Sequence, residues 1–183
     1  MWLPRWTTNG TVEATTFFKY KDAIIKYFLE HKDIKLICRP HPLMLRNFLS
    51  TGEMTQADVD AFMKPFHEEK NFVYDDNPDY IPAFMEADIF VSDFTSLLVE
   101  EFITEKPIIY LGRHSTLSSE AKEIASLFYS VSNDAQLFRN LEALIENNDS
   151  MKSKRREYIS KKMKHDGRAG ERIVNFIKED FNS

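Results

Sequence analysis

The sequence predicts an α/β fold in which helices cover both faces of a doubly wound, Rossmann-like parallel sheet. Short runs of β-favouring apolar residues alternate along the chain with longer stretches of helical periodicity. The short runs are apolar at consecutive positions rather than at every second one, which is typical of strands buried on both faces. The length of 183 residues suits one domain. We therefore expect a single domain over 1–183, with the sheet and its helices in about 1–149 and a helical segment in 150–183.

The first half of the chain contains three predicted strands with helices between them. Apolar residues repeat at helical spacing between 13 and 31, and Thr55 is placed to cap a later helix. In chain order we expect a strand ending at 2–3, a helix within 13–31, a strand at 34–38, a helix after Thr55 and a strand at 72–74.

The second half continues the same alternation. In chain order we expect a short helix at 82–87, a strand at 89–91 closed by Ser92 and Asp93, a helix at 95–104, strands at 107–111 and 127–131, a helix capped by Asn133 or Asp134, and two further helical stretches. Strands that alternate with helices in this way predict parallel β-α units.

The opening residues favour a domain cut from a longer protein. Trp2 and Leu3 resemble the last residues of a buried strand, and Pro4 ends it. We therefore expect a missing N-terminal domain. A natural start with a short edge strand is the alternative.

Composition excludes several classes of function. The 24 basic and 29 acidic residues give a formal charge of −5, which argues against a nucleic-acid partner. No uninterrupted apolar run reaches the ~18 residues that a membrane span needs. The single Cys38 forms no internal disulfide, so we expect a reducing, cytoplasmic setting. The histidines do not cluster with cysteines or carboxylates, and we predict no metal site and no cofactor.

Two loops are the strongest candidates for a site, because each follows a predicted strand directly. Ligands of open α/β sheets bind beyond the carboxyl ends of the strands. The first loop is Arg39-Pro40-His41-Pro42, in which the flanking prolines give the His41 imidazole a stiff mount. The second is Ser92-Asp93-Phe94-Thr95-Ser96. The alternative for the first loop is a strand terminator with an exposed histidine.

The second loop leads into a predicted helix whose first residues are Thr95 and Ser96. Free N–H groups and the positive end of a helix dipole attract phosphate there, and the two hydroxyls add donors. Glu100 lies four residues after Ser96, about 6 Å further along the axis, a separation that resembles pyrophosphate to ribose. Helix capping and a solvated glutamate are the alternatives. We expect His41 and the Thr95-Ser96 pair to lie on neighbouring loops at one edge of the sheet, opening on a common cleft with their polar atoms about 6 to 9 Å apart.

These residues resemble one protein family over most of the chain: the CDP-glycerol glycerophosphotransferases of teichoic-acid and related polymer synthesis. The matching segments are Leu3-Pro4-Arg5-Trp6, Arg39-Pro40-His41-Pro42, Ser92-Asp93-Phe94-Thr95-Ser96 with Glu100, Lys106-Pro107-Ile108-Ile109-Tyr110 and Asp166-Gly167-Arg168-Ala169. The hydroxyl pair with a downstream acid is also similar to the site of the UDP-N-acetylglucosamine 2-epimerases, which share the glycosyltransferase-B architecture. The resemblance implies the C-terminal, nucleotide-binding domain of a glycosyltransferase-B fold.

The resemblance also implies roles for particular residues. Arg39, His41, Thr95 and Ser96 would hold the pyrophosphate of CDP-glycerol or another nucleotide-activated donor, and His41 would stabilise the leaving phosphate. Glu100 would contact the ribose, and Arg5 and Asp93 would make loop contacts. The acceptor would be an anionic polymer or a lipid-linked chain, and its activating base would come from the missing N-terminal domain. A UDP-sugar glycosyltransferase or 2-epimerase, and a nucleotide-binding module without transferase chemistry, are the alternatives.

Basic residues are concentrated late in the chain. Between Met151 and Lys164 there are seven of them and one acid, Glu157. Such a helix suits an anionic polymer or peripheral contact with the inner face of the cell membrane. A solvated helix face is the alternative.

Overall fold

A computed structural model describes residues 1–7, 15–112, 117–163 and 166–181. It contains six parallel strands in one sheet, in the order β3-β2-β1-β4-β5-β6. The strands are β1 (Trp2–Leu3), β2 (Leu36–Cys38), β3 (Phe72–Tyr74), β4 (Phe90–Ser92), β5 (Ile108–Tyr110) and β6 (Tyr129–Ser130). The strand order reverses beside β1, as in a doubly wound sheet. The predicted fold class is confirmed.

Nine helices lie in the described part of the chain. They are α1 (Phe17–Glu30), α2 (Met44–Thr51), α3 (Gln56–Glu68), α4 (Ile81–Glu86), α5 (Leu98–Ile103), α6 (Ser119–Ala125), α7 (Asp134–Ile145), α8 (Lys152–Lys162) and α9 (Ala169–Phe181).

Successive strand residues enter two different cores, because side chains alternate between the faces of a sheet. Trp2 joins the core formed with α1, α2, α3 and α7, whereas Leu3 joins the core formed with α4, α5, α6 and α8. The alternation explains why consecutive positions of the strands are apolar.

Capping residues define several helix starts. The Thr55 hydroxyl accepts a hydrogen bond from the N–H of Asp58, and the Asp58 carboxylate accepts one from the N–H of Thr55. This reciprocal capping box confirms the predicted start of α3. At α7 the Asn133 side chain accepts from the N–H of Gln136, so Asn133 rather than Asp134 is the cap.

Two predicted boundaries beside the second candidate loop are wrong. The strand expected at 89–91 is β4 at Phe90–Ser92, one residue later. The helix expected at 95–104 begins only at Leu98, and Leu97 caps it without a side-chain bond. Its start follows a turn in which the Leu98 N–H approaches the Thr95 carbonyl at 3.4 Å.

Helix α8 is tied to the loop before β5 by a buried arginine. Arg155 is fully buried, donates to the carbonyl of Glu105 at 2.8 Å and pairs with Asp149 at 2.5 Å. Arg156 and Lys161 also pair with carboxylates. Three of the seven basic side chains of this region are therefore paired with carboxylates, while Lys164 lies outside the described residues.

The last helix, α9, has an exposed apolar stripe that includes Ile173, Phe176 and Phe181, and it contains no buried residue. None of the helices in the described ranges has the length and apolar character that crossing a bilayer requires. A cavity of about 810 Å³ lies at the amino ends of the strands, lined by residues such as Met1, Lys35 and Lys106. It lies at the opposite edge of the sheet from the predicted site.

Candidate functional site

The chain segment that leaves β1 connects the two predicted loops. β1 lies between β2 and β4, so the loops after β2 and β4 are at the same edge but are not adjacent. Neighbouring strands are about 4.8 Å apart, which places the two loop bases roughly 10 Å from each other. The expectation of neighbouring loops is corrected: Pro4–Thr7 fills the space between them. The expected separation of 6 to 9 Å between polar atoms stays a prediction.

His41 is held in the loop after β2 by hydrogen bonds of its main chain and by contacts of its ring. Its N–H donates to the carbonyl of Pro4 at 3.2 Å, and its Nδ1 accepts from the N–H of Leu43 at 3.2 Å. The imidazole stacks on Trp6, with ring centroids 5.4 Å apart. The side chain is otherwise exposed.

Burial and a neighbouring charge set the protonation of His41, and a hydrogen bond sets its tautomer. Partial burial, and then the positive charge of Arg5, lower the pKa of the imidazole below its usual value. Since Nδ1 accepts a hydrogen bond, the neutral ring carries its hydrogen on Nε2. At neutral pH His41 is thus a hydrogen-bond donor through Nε2 rather than a cation.

Arg39 is held at the same edge by an acidic residue after β3. Its guanidinium donates to Asp75 at 2.6 Å and to the carbonyl of Asn77 at 2.7 Å. Both partners of the Arg39–Asp75 pair are largely buried. Two of its five N–H donors are therefore used for joining the loops after β2 and β3.

Asp93 is a structural clamp at the end of β4. The side chain is 1% exposed, and its carboxylate accepts hydrogen bonds from the N–H groups of Arg5 and Thr16 and from the hydroxyls of Thr15 and Thr16. Burial raises the pKa of Asp93, and the hydrogen bonds from Arg5 and Thr16 oppose that rise. Asp93 thereby ties the segment after β1 and the start of α1 to the end of β4.

Arg5 adds the positive charge at the centre of the site. Its guanidinium donates to the carbonyl of Phe94 at 2.8 Å and to the Thr7 hydroxyl at 2.7 Å. Its charged group also lies 5.5 Å from the centre of the Phe94 ring, a cation–π distance. Because Arg5 also lowers the pKa of His41, its charge is felt by both loops.

The hydroxyl pair does not occupy the first turn of a helix. Thr95 is half-buried and Ser96 is exposed, and both precede the six-residue α5. The predicted phosphate site at the N-terminus of a helix is wrong in this detail, since Thr95 and Ser96 are not helical. The helical spacing assumed between Ser96 and Glu100 fails for the same reason. Glu100 is half-buried, and its Oε2 has no hydrogen-bond partner within the described ranges.

Sequence reasoning missed Glu101, the most deeply buried acid beside this loop. Glu101 is 0% exposed, and its Oε1 accepts from the hydroxyls of Ser92 at 3.0 Å and Thr95 at 3.4 Å. Burial raises the pKa of Glu101 to about 8, although both hydrogen bonds favour the charged form. The sequence does contain a signal for the burial of Glu101. Glu101 follows Leu97 by four residues, as Phe102 follows Leu98, and so falls on the stripe of α5 that faces the core.

The chain was compared with models of known protein families. A family model described as CDP-glycerol:poly(glycerophosphate) glycerophosphotransferase matches residues 1–179. The chain belongs to this family. The match confirms the family resemblance of the sequence. A comparison with curated protein sequences finds no significant match.

Family membership gives the geometry a chemical context. The family's description indicates transferase chemistry, with CDP-glycerol as the donor of a glycerophosphate group and poly(glycerophosphate) as the acceptor. Such a donor has an anionic pyrophosphate, which requires hydrogen-bond donors and positive charge. The described edge offers the imidazole of His41, the guanidinium of Arg5 and the hydroxyls of Thr95 and Ser96.

Proposed function

We propose that the carboxyl edge of the sheet binds the pyrophosphate of CDP-glycerol, and that this chain is the donor-binding half of a glycosyltransferase-B enzyme in teichoic-acid or related polymer synthesis. One observation carries the proposal: the Pro4–Thr7 segment contacts both candidate loops at the point where strand order reverses. In doubly wound folds that point is where ligands bind. The proposed single domain over 1–183 then works with a preceding domain that supplies the remainder of the cleft.

His41 has the properties needed for a phosphate contact. Its Nδ1 accepts from Leu43 and its ring rests on Trp6, so the Nε2–H is held in one orientation. A fixed donor of this kind loses little entropy on binding. Ser96, which is exposed, and Thr95, which is half-buried, add hydroxyl donors from the loop after β4.

We assign Arg5 and Arg39 different roles at the donor site. The charge of Arg5 lies between the two loops, so we assign it the main electrostatic attraction for the donor. The charge of Arg39 is largely balanced by Asp75, and we assign Arg39 chiefly to holding the loop after β2, with its remaining N–H donors available to the pyrophosphate. Glu100 is assigned to the ribose hydroxyls, because its Oε2 has no partner among the described residues.

The reaction forms one bond and breaks another. An acceptor hydroxyl oxygen attacks the phosphorus that carries glycerol, the bond from that phosphorus to the oxygen of the CMP phosphate breaks, and CMP leaves. The negative charge that develops on CMP would be stabilised by His41, Thr95 and Ser96. A base of the preceding domain would take the proton of the acceptor hydroxyl.

Peripheral association with anionic material is a further part of the proposal. On α8, Lys152, Lys154 and Lys162 are exposed, and they would face the growing polymer or the inner surface of the membrane. Cosedimentation with anionic vesicles would test this part, with Lys154→Gln as the variant expected to weaken binding.

Calorimetric titration tests the donor assignment. We expect the protein to bind CDP-glycerol more tightly than CMP, UMP or UDP-N-acetylglucosamine. His41→Ala should weaken CDP-glycerol binding, whereas His31→Ala should not, because His31 stacks on Tyr27 at the far end of α1. Binding of uridine nucleotides alone would overturn the CDP-glycerol assignment, and equal loss of affinity in both variants would overturn the site.

A further inference from the structure

Resting on the proposed function, we propose that Glu101 is a positioning residue of the donor site. Its buried carboxyl group holds the hydroxyls of Ser92 and Thr95, and so sets whether the Thr95 hydrogen points to the donor phosphate or into the protein. Glu101 itself does not touch the donor.

The geometry places Glu101 directly behind the loop after β4. One carboxyl oxygen, Oε1, lies 3.0 Å from Ser92 Oγ and 3.4 Å from Thr95 Oγ1. Ser92 Oγ also lies 3.1 Å from the Asp93 carbonyl oxygen, which is a second acceptor for its single hydrogen. The acid thus joins the last residue of β4 to the first hydroxyl of the pair, across the turn that leads into α5.

Because the Thr95 hydroxyl has a single hydrogen, the protonation state of Glu101 determines which group receives the hydrogen bond from Thr95. A hydroxyl has one hydrogen to donate and can accept through its lone pairs. When Glu101 is a carboxylate, it can only accept, so the Thr95 hydrogen points inward. When Glu101 is a carboxylic acid, it can donate to Thr95 Oγ1, and the Thr95 hydrogen is then available to an anionic ligand.

The neutral acid is the main form near pH 7. Glu101 is fully buried, and this burial raises its pKa to about 8. The charged groups that act on it are Glu100 of the same helix and the amino group of Met1, the residue before β1. Burial lowers the pKa of that amino group to about 5, so it adds little charge at pH 7 or above, and it adds none where a preceding domain is joined to Met1.

The second carboxyl oxygen distinguishes Glu101 from an ordinary core residue. Its Oε2 is buried and has no hydrogen-bond partner in the described part of the chain. Buried polar atoms are nearly always hydrogen-bonded, and a buried acid with one unpaired oxygen costs stability. A glutamine or an apolar residue would fill this position at lower cost, which points to a use for the ionisable group.

The test is the pH dependence of CDP-glycerol affinity, measured by calorimetry between pH 6.5 and 9.5. Each phosphate of CDP-glycerol carries one ester bond and shares the anhydride bond between the two phosphorus atoms, so the ligand lacks the second phosphate ionisation of a monoester near pH ~6. For the wild-type protein we expect the affinity to fall by about tenfold, the worth of one hydrogen bond to a charged group, as the pH rises through the pKa of Glu101.

Four variants separate positioning from structure. Glu101→Gln keeps a neutral donor and should bind with near wild-type affinity at pH 6.5 and without the loss at high pH. Thr95→Val should bind weakly at every pH, and adding Glu101→Gln to it should change nothing further. Glu86→Gln, which removes an exposed carboxylate at the amino end of the strands, should keep the wild-type pH profile.

The outcomes are distinct. A Glu101→Gln protein that folds and shows the wild-type pH profile overturns the positioning role, while CDP-glycerol binding itself leaves the proposed function standing. Absence of CDP-glycerol binding by the wild-type protein at any pH overturns the proposed function and this inference together.

Discussion

The loops after β2 and β4 reach the same edge of the sheet with different kinds of support. In the β2 loop, His41 is exposed, and its loop is held by the main chain of Pro4 and by the Arg39–Asp75 pair. In the β4 loop, the supporting side chains are Asp93 and Glu101, which are 1% and 0% exposed.

Because of this difference, ligand binding depends little on the stability of the β2 loop but is coupled to stability in the β4 loop. Removing the His41 imidazole leaves the supports of its loop in place. Changing Asp93 or Glu101 alters hydrogen bonds that also hold the segment after β1, the start of α1 and α5. We therefore expect mutations in the β2 loop to weaken mainly the binding of CDP-glycerol. Mutations in the β4 loop should lower both the stability of the protein and the binding of CDP-glycerol.

The largest effect should come from Asp93→Ala. The substitution leaves the partly buried N–H groups of Arg5 and Thr16 without their acceptor, and each such loss costs about 1–3 kcal/mol. We expect the free energy of unfolding to fall by about 4 kcal/mol, measured by urea denaturation. Asp93→Asn, which keeps one oxygen acceptor, should lose less. A loss below about 1 kcal/mol for the alanine variant would show that the clamp is unimportant.

His41→Ala should give the opposite result. Turnover of CDP-glycerol by the complete gene product should fall by about 100-fold, because the hydrogen bond that His41 is proposed to donate to the leaving phosphate is lost. The free energy of unfolding should change by less than about 1 kcal/mol, as for most exposed residues. An equal proportional loss of activity and stability would support the strand-terminator interpretation of the Pro-His-Pro loop instead.

The stability of the β4 loop should depend on pH through Glu101. A carboxyl group whose pKa is raised by folding binds its proton more tightly in the folded state, so its contribution is complete below pH ~4.5 and is lost as the pH rises through about 8. Glu101→Gln should remove this fall. The difference between the two proteins from pH 5 to pH 8.5 should exceed about 1.4 kcal/mol, the equivalent of one pKa unit. Parallel stability curves would contradict the assignment of a neutral buried acid.

Ser96→Ala should have the smallest effect. Ser96 is exposed, and its hydroxyl would be one of several donors to the pyrophosphate. We expect about fivefold weaker CDP-glycerol binding, near 1 kcal/mol, with unchanged stability. Ser50→Ala, on the exposed side of α2, is the matched control and should bind normally. If Ser96→Ala weakens binding more than His41→Ala does, the β4 loop rather than the β2 loop makes the principal contact.

The fold was predictable from sequence because its determinants are local. Continuous apolar runs such as Ile108–Tyr110 and caps such as Thr55 act within a few residues, and these elements are observed where expected. The start of α5 was not predictable in this way. Thr95 is a good capping residue, but its hydroxyl binds Glu101, and the helix begins three residues later.

The site was predictable only in part, because its supports join distant segments. Arg39, His41 and Thr95 were identified from their positions after strands. The clamp between Asp93 and Thr16 spans 77 residues, and the insertion of β1 between the two loops depends on strand order. Neither has a local sequence pattern. Glu101 does lie in a local sequence pattern, the apolar stripe of α5, but a glutamate in a helix is usually exposed to solvent.

The most direct test of the account is a crystal structure of the protein with CDP-glycerol bound. We predict that the pyrophosphate lies between the two loops, with an oxygen within about 3.2 Å of His41 Nε2 and another within the same distance of a hydroxyl of Thr95 or Ser96. A pyrophosphate bound at the amino ends of the strands, or one that touches only one of the two loops, would contradict the shared donor site.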